Sequence, residues 1–479
     1  MIDGTSAALA RAVAHAKVHL ASFDTAPVCA TVDLMTLRRR LGRPFGEEGL
    51  DPEQVIDELV ADVSGGILGS AGGRFFGWVI GGSLPSALAA DWLASAFDQN
   101  AALYACGPAA AVVEEIAGVW ARELLGLPVH ASFGLTSGCQ MAHFTCLASA
   151  RHALLRERDW NVEEQGLFKA PQFAVLTSEA AHGSIDRAVR LLGLGSRSVV
   201  VIPTDDKGQL PRDALARQID QHAGNPIIVV LQAGDINTGA FDDFSELIPL
   251  AKRAGAWVHV DGAFGLWAAA SPKKRHLVGQ IHLADSWATD GHKWLNLPYD
   301  CGLAFVAAPE AHRGAVSHRA TYLTHDDDAR DQIDWNPEWS RRARGFALYA
   351  ALRELGRAGV ADLVERTCRH AKALVDGMGA VPGVEVLSLP ALNQGLVRFP
   401  DPRPGASELD HDRHTDEVIA RIVSSGEAFF GGTNWKGRRA MRISVCNWRT
   451  SERDVSCAVR AVKEAVTGAS VGSHSDRMT

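Results

Sequence analysis

From about residue 130 the chain settles into one rhythm, and that rhythm constrains its fold more than any other feature. Short apolar runs lie at 173–177, 198–202, 227–232, 257–260, 286–289 and 302–306, each of strand length. Helical periodicity fills 139–157, 184–192, 211–221 and 243–254 between several of them. Alternation of this kind predicts an α/β fold, with a mostly parallel sheet covered by helices on both faces. In such folds ligands collect beyond the carboxyl ends of the strands.

The 479 residues exceed what one small core needs, so more than one packed unit is expected. Residues 4–22 and 84–125 read as helices, while the Pro and Gly of 42–51 and the glycines of 65–73 mark loops. Periodicity resumes over 340–377, and strands are expected near 384–388, 394–398 and 440–445. This divides the chain into an N-terminal helical segment over 1–84, a large domain over 85–350 and a small C-terminal α/β domain over 351–479. The acidic run 324–334 reads as a solvated loop, and the small polar residues from 468 onward as a frayed end.

A net charge of −8 argues against a general binder of nucleic acid or membrane surfaces. No apolar stretch is long enough to span a bilayer. Eight scattered cysteines form no C-x-x-C pair, so no metal is expected. With no basic segment leading into an apolar one at the N-terminus, they fit a cytoplasmic protein.

One short polar run, Asp290-Gly291-His292-Lys293-Trp294, follows the strand at 286–289. A lone lysine is ordinarily a solvated surface group. Upstream, however, the apolar run Ala256-Trp257-Val258-His259-Val260 ends in Asp261, and a carboxylate at a buried strand end needs a cationic partner. A protonated pyridine nitrogen is such a partner, and a neutral lysine amine attacks aldehydes. Lys293 and Asp261 together point to pyridoxal 5'-phosphate, Lys293 binding it as an imine and Asp261 holding its ring nitrogen protonated. Ala263 is small enough for a flat ring to lie against it. Thr136-Ser137-Gly138-Cys139-Gln140 precedes an apolar helix whose N-terminus suits a phosphate. His182 follows the strand at 173–177, where it can stack on a flat cofactor.

Together these residues resemble the pyridoxal-phosphate-dependent group II amino-acid decarboxylases, from about residue 70 to 457. Phe75-Phe76-Gly77 and the stretch from Gly107-Pro108-Ala109 through Glu114 resemble the family's substrate-side region. Residues 136–151 resemble its phosphate-binding loop and helix, and His182-Gly183-Ser184 its His-Ser-Ser motif. His259-Val260-Asp261-Gly262-Ala263 is similar to its aspartate strand, and Asp290-Gly291-His292-Lys293-Trp294 to its Asn-Pro-His-Lys-Trp. The resemblance implies fold type I, with a seven-stranded sheet in the large domain, and a homodimer with shared active sites. It implies cofactor contacts from Lys293, Asp261, Ala263, His182, Cys139, Gln140, Asn237, Asp290 and His292. Trp78, Val79 and Ile80 would line the substrate pocket, with Asn100, Ala102 and Leu103 from the partner subunit. Thr321-Tyr322-Leu323 resembles the family's mobile loop, whose tyrosine protonates the substrate Cα. Related aldehyde synthases usually carry phenylalanine there, so Tyr322 favours decarboxylation to an amine, with Lys293, Tyr322 and His182 as catalytic residues.

The chain departs from the family at Gly183, at Gly234-Asp235-Ile236, where Asn237 replaces a threonine contact, and at Asp290 and Gly291. The charge of Asp290 is expected to bear on the cofactor phosphate. With no Lys or Arg in the pocket set, the expected substrate is an apolar or aromatic L-amino acid. Other pyridoxal enzymes of this fold remain alternatives (carbon–carbon lyase or aldolase, aldehyde synthase, aminotransferase), because Arg442 sits where aminotransferases often keep a carboxylate-binding arginine. A non-catalytic cofactor-binding relative is a further alternative.

Overall fold

The run Ile227-Ile228-Val229-Val230 is β-branched at every position, which favours extended backbone, and its apolar side chains need cover on both faces. In the computed structural model, which describes residues 2–318 and 329–468, it lies inside a seven-stranded sheet. The strands are β1 (Ser132–Thr136), β2 (Ala174–Ser178), β3 (Val199–Ile202), β4 (Ile227–Gln232), β5 (Trp257–Asp261), β6 (Ser286–Asp290) and β7 (Gly302–Val306). Their order is β1-β7-β6-β5-β4-β2-β3. Strands β2 to β6 pair in parallel, and β7 runs antiparallel to both β6 and β1. The carboxyl ends of β1, β2, β4, β5 and β6 therefore share one edge of the sheet.

The helix Cys139–Arg156 covers one face with small residues that allow close approach. Ala142, Cys146, Leu147 and Ala150 are buried in one cluster with Val175, Ile228, Val230, Ala288 and Ala304. Burying a side chain of Val or Ile size stabilises by roughly 1.5–3 kcal/mol, so this contact anchors the helix N-terminus at the sheet edge.

Six of the seven strands lie where the apolar runs place them. The missed one, β1, is an edge strand with polar ends and a central Gly134, so it lacks the long β-branched run that identifies β4. The division of the chain also differs from the expected one. One unit comprises Gly81–Ala371 with Leu389–Gly395; the other comprises Met1–Ile80, Lys372–Ser388 and Leu396–Thr479. The helical region Gly345–Gly379, kinked at Gly356 (φ 56°), contains both the expected boundary at 350 and the observed one at 371/372.

The second unit contains the helices Ile2–Ala21, Leu34–Leu41 and Pro52–Val63, of which the first and third are linked by Arg11–Asp57 at 3.1 Å. It also contains a sheet of β8 (Glu385–Ser388), β9 (Gln394–Arg398), β10 (Gly431–Trp435) and β11 (Arg438–Ser444), in the order β10-β11-β9-β8. Strand β10 was not expected. It is a half-exposed edge strand joined to β11 by Lys436-Gly437, both at positive φ, which is the geometry of a tight hairpin turn. Residues 319–328 and those from 469 onward lie outside the described residues, so Tyr322, the first five residues of the acidic run and most of the expected frayed end fall there. The rest of the acidic run is not the solvated loop expected: Asp331, Gln332, Ile333 and Asp334 are buried, and Asp331 accepts the Tyr104 N–H at 2.9 Å. Among the described residues no helix is long and apolar enough to cross a membrane.

Candidate active site

Five strand ends bring the expected cofactor residues to one edge of the larger unit. Cys139 and Gln140 follow β1, His182 follows β2, and Asn237 follows β4. Asp261 ends β5 with Ala263 just beyond, and Asp290 ends β6 with His292 and Lys293 in the next turn.

Asp290 joins the two halves of the site. It is almost fully buried. Its Oδ1 accepts the Cys139 backbone N–H at 2.6 Å, and its Oδ2 lies 2.9 Å from Lys293 Nζ. The charge expected to bear on a phosphate is thus directed at the first N–H of the helix and at the lysine. Burial alone would lower the Lys293 pKa; the adjacent Asp290 carboxylate outweighs it, and the pKa lies above the ordinary lysine value. His292 Nδ1 accepts the Cys301 N–H at 3.1 Å, which leaves the proton of the neutral ring on Nε2. Burial lowers the His292 pKa, so the ring is neutral at pH 7.

The turn that carries Lys293 is clamped by residues the sequence did not single out. Asn296 is fully buried at φ 58°, its Oδ1 accepts the Gly82 N–H at 2.7 Å, and its Nδ2 donates to the Trp294 carbonyl at 2.7 Å. Its own carbonyl accepts the Leu84 N–H at 2.9 Å. A Cβ at Gly81 would stand 1.9 Å from the Lys293 carbonyl oxygen, so only glycine allows this approach. Trp294 Nε1 donates to Thr367 Oγ1 at 2.8 Å. Asn in the αL region is a local signal, but its partners lie two hundred residues upstream.

Asp261 is 4% exposed and accepts the Ala263 N–H at 3.1 Å. His143 Nε2 lies 3.6 Å from its Oδ1 and 3.4 Å from Cys139 Sγ. Cys139, His143 and Asp261 hold metal-ligand-type atoms within 4.8 Å of one another, a grouping the cysteine spacing hides because Asp261 lies on a distant strand. Asp261, Asp290, Cys139 and Lys293 all act electrostatically on one another's surroundings. His182 Nδ1 takes the Ser184 N–H at 3.3 Å and faces its hydroxyl at 2.8 Å, which again puts a neutral ring's proton on Nε2. Gln140 Nε2 donates to the Ser184 carbonyl at 3.3 Å. Asn237 sits in a loop organised by buried Asp235, whose carboxylate accepts the N–H groups of Asn237 and Thr238 at 2.8 Å.

These residues fit pyridoxal phosphate. The buried Asp261 carboxylate faces a neutral imidazole, a setting in which a pyridinium N–H would supply a directly bonded cation, and an amine stands at the neighbouring strand end beside a helix N-terminus.

The expected substrate-side residues have these neighbours within the chain. Asn100 Oδ1 accepts the N–H groups of Ala102 and Arg341, both at 3.2 Å. Ala102 and Leu103 are buried against Ile333 within their own chain, so their side chains brace this loop. In the other unit, Trp78 is half exposed at φ 48°, with its ring against Phe75 and Phe429, while Val79 is buried and Ile80 half-buried. Arg442 Nη2 donates to the Trp78 carbonyl at 2.9 Å.

Comparison with known proteins agrees with this geometry. The model of the pyridoxal-dependent decarboxylase conserved domain matches residues 36–400. The aromatic-L-amino-acid decarboxylase of Bacillus atrophaeus is 28% identical over 94% of this chain and 93% of that protein. The phenylacetaldehyde synthase of Petunia hybrida is 24% identical over 87% of this chain and 85% of that protein. The crystal structure of Oryza sativa TDC with PLP and tryptamine shares the fold, with a TM-score of 0.91, 24% identity and 98% of each chain covered. With a lysine paired to a buried carboxylate at the sheet edge and a family match over most of its length, the chain belongs to the pyridoxal-dependent decarboxylases, carboxy-lyases that use pyridoxal phosphate.

Proposed function

We propose that this protein decarboxylates an L-amino acid with an apolar or aromatic side chain, giving the amine and CO₂. The observation that carries the reading is the placement of Lys293 and Asp261 at adjacent strand ends, with Asp290 bonded to Lys293 Nζ. When bound, pyridoxal phosphate supplies an electron sink for the pair released as the Cα–carboxylate bond breaks.

In this reading Lys293 would hold the cofactor through Nζ, and Asp290 would hold a proton on that Nζ when it is unattached. The Asp261 carboxylate would keep the proton on the ring nitrogen, and Ala263 and His182 would lie against the ring. His292 Nε2–H and the start of the 139–156 helix, with Gln140, would bind phosphate; Asn237 would be a further cofactor contact. Tyr322 would deliver a proton to Cα. The protein works as a homodimer in the cytoplasm.

Two features support the choice within the family. Arg442, the residue that would favour an aminotransferase, spends one N–H on the Trp78 carbonyl. The half-exposed Trp78 ring, backed by Phe75 and Phe429, suits an apolar or aromatic side chain. The test is a screen of common L-amino acids for CO₂ release by the holoenzyme, with products identified by mass. Aromatic or large apolar substrates giving amines are expected. Preferential turnover of glutamate or aspartate, or an aldehyde as main product, overturns the reading.

A further inference from the structure

Behind Asp261 lies a line of buried polar side chains that the proposed chemistry does not use. Alternation along β5 puts Trp257, His259 and Asp261 on one face, and the β5–β6 register sets Ser286 opposite His259. His143, one turn into the helix that begins at Cys139, packs on the same face. Trp257 Nε1 lies 2.9 Å from Ser286 Oγ, Ser286 Oγ 2.9 Å from His259 Nδ1, and His259 Nε2 2.9 Å from His143 Nδ1. His143 Nε2 then faces Asp261 Oδ1 at 3.6 Å. His143, His259 and Ser286 are fully buried.

The ends of this line decide its direction. An indole N–H only donates and an ionised carboxylate only accepts. Both imidazoles are neutral, because burial pulls each pKa down to about 3, so each ring carries one proton. Trp257 donates to Ser286, which frees the serine proton for His259 Nδ1. His259 then donates from Nε2 to His143 Nδ1, and His143 carries its proton on Nε2, toward Asp261. The reverse order would aim the His143 Nε2 lone pair at the carboxylate, setting two acceptors 3.6 Å apart.

We propose that Trp257, Ser286, His259 and His143 form a one-way donor chain that sets an N–H against Asp261 and orients the carboxylate that holds the cofactor's ring nitrogen protonated. The four are positioning residues; the carboxylate alone meets the cofactor. This rests on the reading of Asp261 as the ring-nitrogen partner.

The test uses full-length holoenzyme loaded with pyridoxal phosphate labelled with nitrogen-15 in the ring, and histidines labelled likewise, followed by NMR. In the wild type, His143 and His259 are expected to be neutral at pH 7 with the proton on Nε2, and the ring nitrogen protonated. A proton on His143 Nδ1, or a cationic imidazole at either position, overturns the proposal. His143→Leu and Ser286→Ala are expected to move the ring-nitrogen signal toward the unprotonated value. They should lower kcat by about 10- to 100-fold, the usual cost of losing an orienting partner, with a smaller change in KM. His143→Gln, whose amide N–H reaches toward Asp261, should restore part of both. A wild-type ring-nitrogen signal in both His143→Leu and Ser286→Ala refutes the chain. Should His143→Leu fail to fold, the wild-type tautomers and Ser286→Ala still decide. Asp261→Asn separates the two levels: an unchanged ring nitrogen there refutes the Asp261 reading itself, whereas a change there but not in the other variants refutes the donor chain alone.

Discussion

Replacing Asp290 with Asn removes one negative charge while leaving an amide oxygen to accept the Cys139 N–H now held at 2.6 Å. The helix start is therefore preserved, and the change falls on Lys293, whose Nζ lies 2.9 Å from the other carboxylate oxygen. At that separation two unit charges attract by about 6 kcal/mol for an effective dielectric of about 20, an upper bound on the loss. Opposite charges at this range typically move a pKa by roughly 1–3 units, which corresponds to about 10- to 1000-fold in the neutral amine fraction at fixed pH. The sign is fixed: Asp290 stabilises the ammonium and raises the Lys293 pKa, so its loss lowers the pKa. Only the neutral amine attacks an aldehyde. Capture of pyridoxal phosphate by the apoenzyme, followed by stopped-flow absorbance across pH, should show its midpoint displaced to lower pH by at least about one unit in Asp290→Asn. Relief of repulsion on the cofactor phosphate would raise the rate at every pH without moving the midpoint. An unmoved midpoint refutes the assignment of Asp290 as the group that holds the proton on Lys293.

Three further outcomes are expected. His143, His259 and His312 are buried and neutral, each with its pKa pulled down to about 3, whereas an unfolded chain protonates near 6.5. Their neutral burial contributes stability above about pH 6.5 that is lost as pH falls toward 3, on the order of several kcal/mol in sum; calorimetry should show Tm dropping between pH 7 and 4.5, and a flat Tm contradicts this. Glu114 and Arg341 form a fully buried pair at 2.7 Å, so Glu114→Gln should cost about 3–5 kcal/mol in urea unfolding, and a loss under about 1 kcal/mol would show that the pair is not isolated from water. Tyr322→Phe should lower amine yield and raise the aldehyde-to-amine ratio; unchanged products refute the role given to Tyr322.

The larger sheet was legible because its interior strands are buried along their whole length and each carries a run of apolar residues. The runs at 227–232 and 302–306 match β4 and β7 end to end. Edge strands β1 and β10 were not: β1 is buried but broken by Gly134 and ended by polar residues, and β10 alternates exposed positions with half-buried ones. At the site, Asp261 was legible as a charged group at the end of an apolar run, and Lys293 as the lone lysine of the polar run that follows the next strand. His143 was not, because a single histidine in an apolar helix has no local mark; its meaning comes from His259, more than a hundred residues away. The scaffolding of Ala102 and Leu103 is equally non-local, since Ile333 supplies their packing. The resemblance assigned roles by position, and the fold showed which neighbours each position has.

The clamp under Lys293 bears on how this chain can diverge. Between 82 and 84 it is built from main-chain groups: the Gly82 and Leu84 N–H groups meet Asn296, whatever side chains those residues carry. No hydrogen-bonding side chain at 82 or 84 is needed to keep the amine in place, although both positions are buried. The veto sits at Gly81, where one added carbon meets the Lys293 carbonyl. The lysine's place rests on main-chain contacts and on one hydrogen atom, so a lineage keeps it only while position 81 stays glycine.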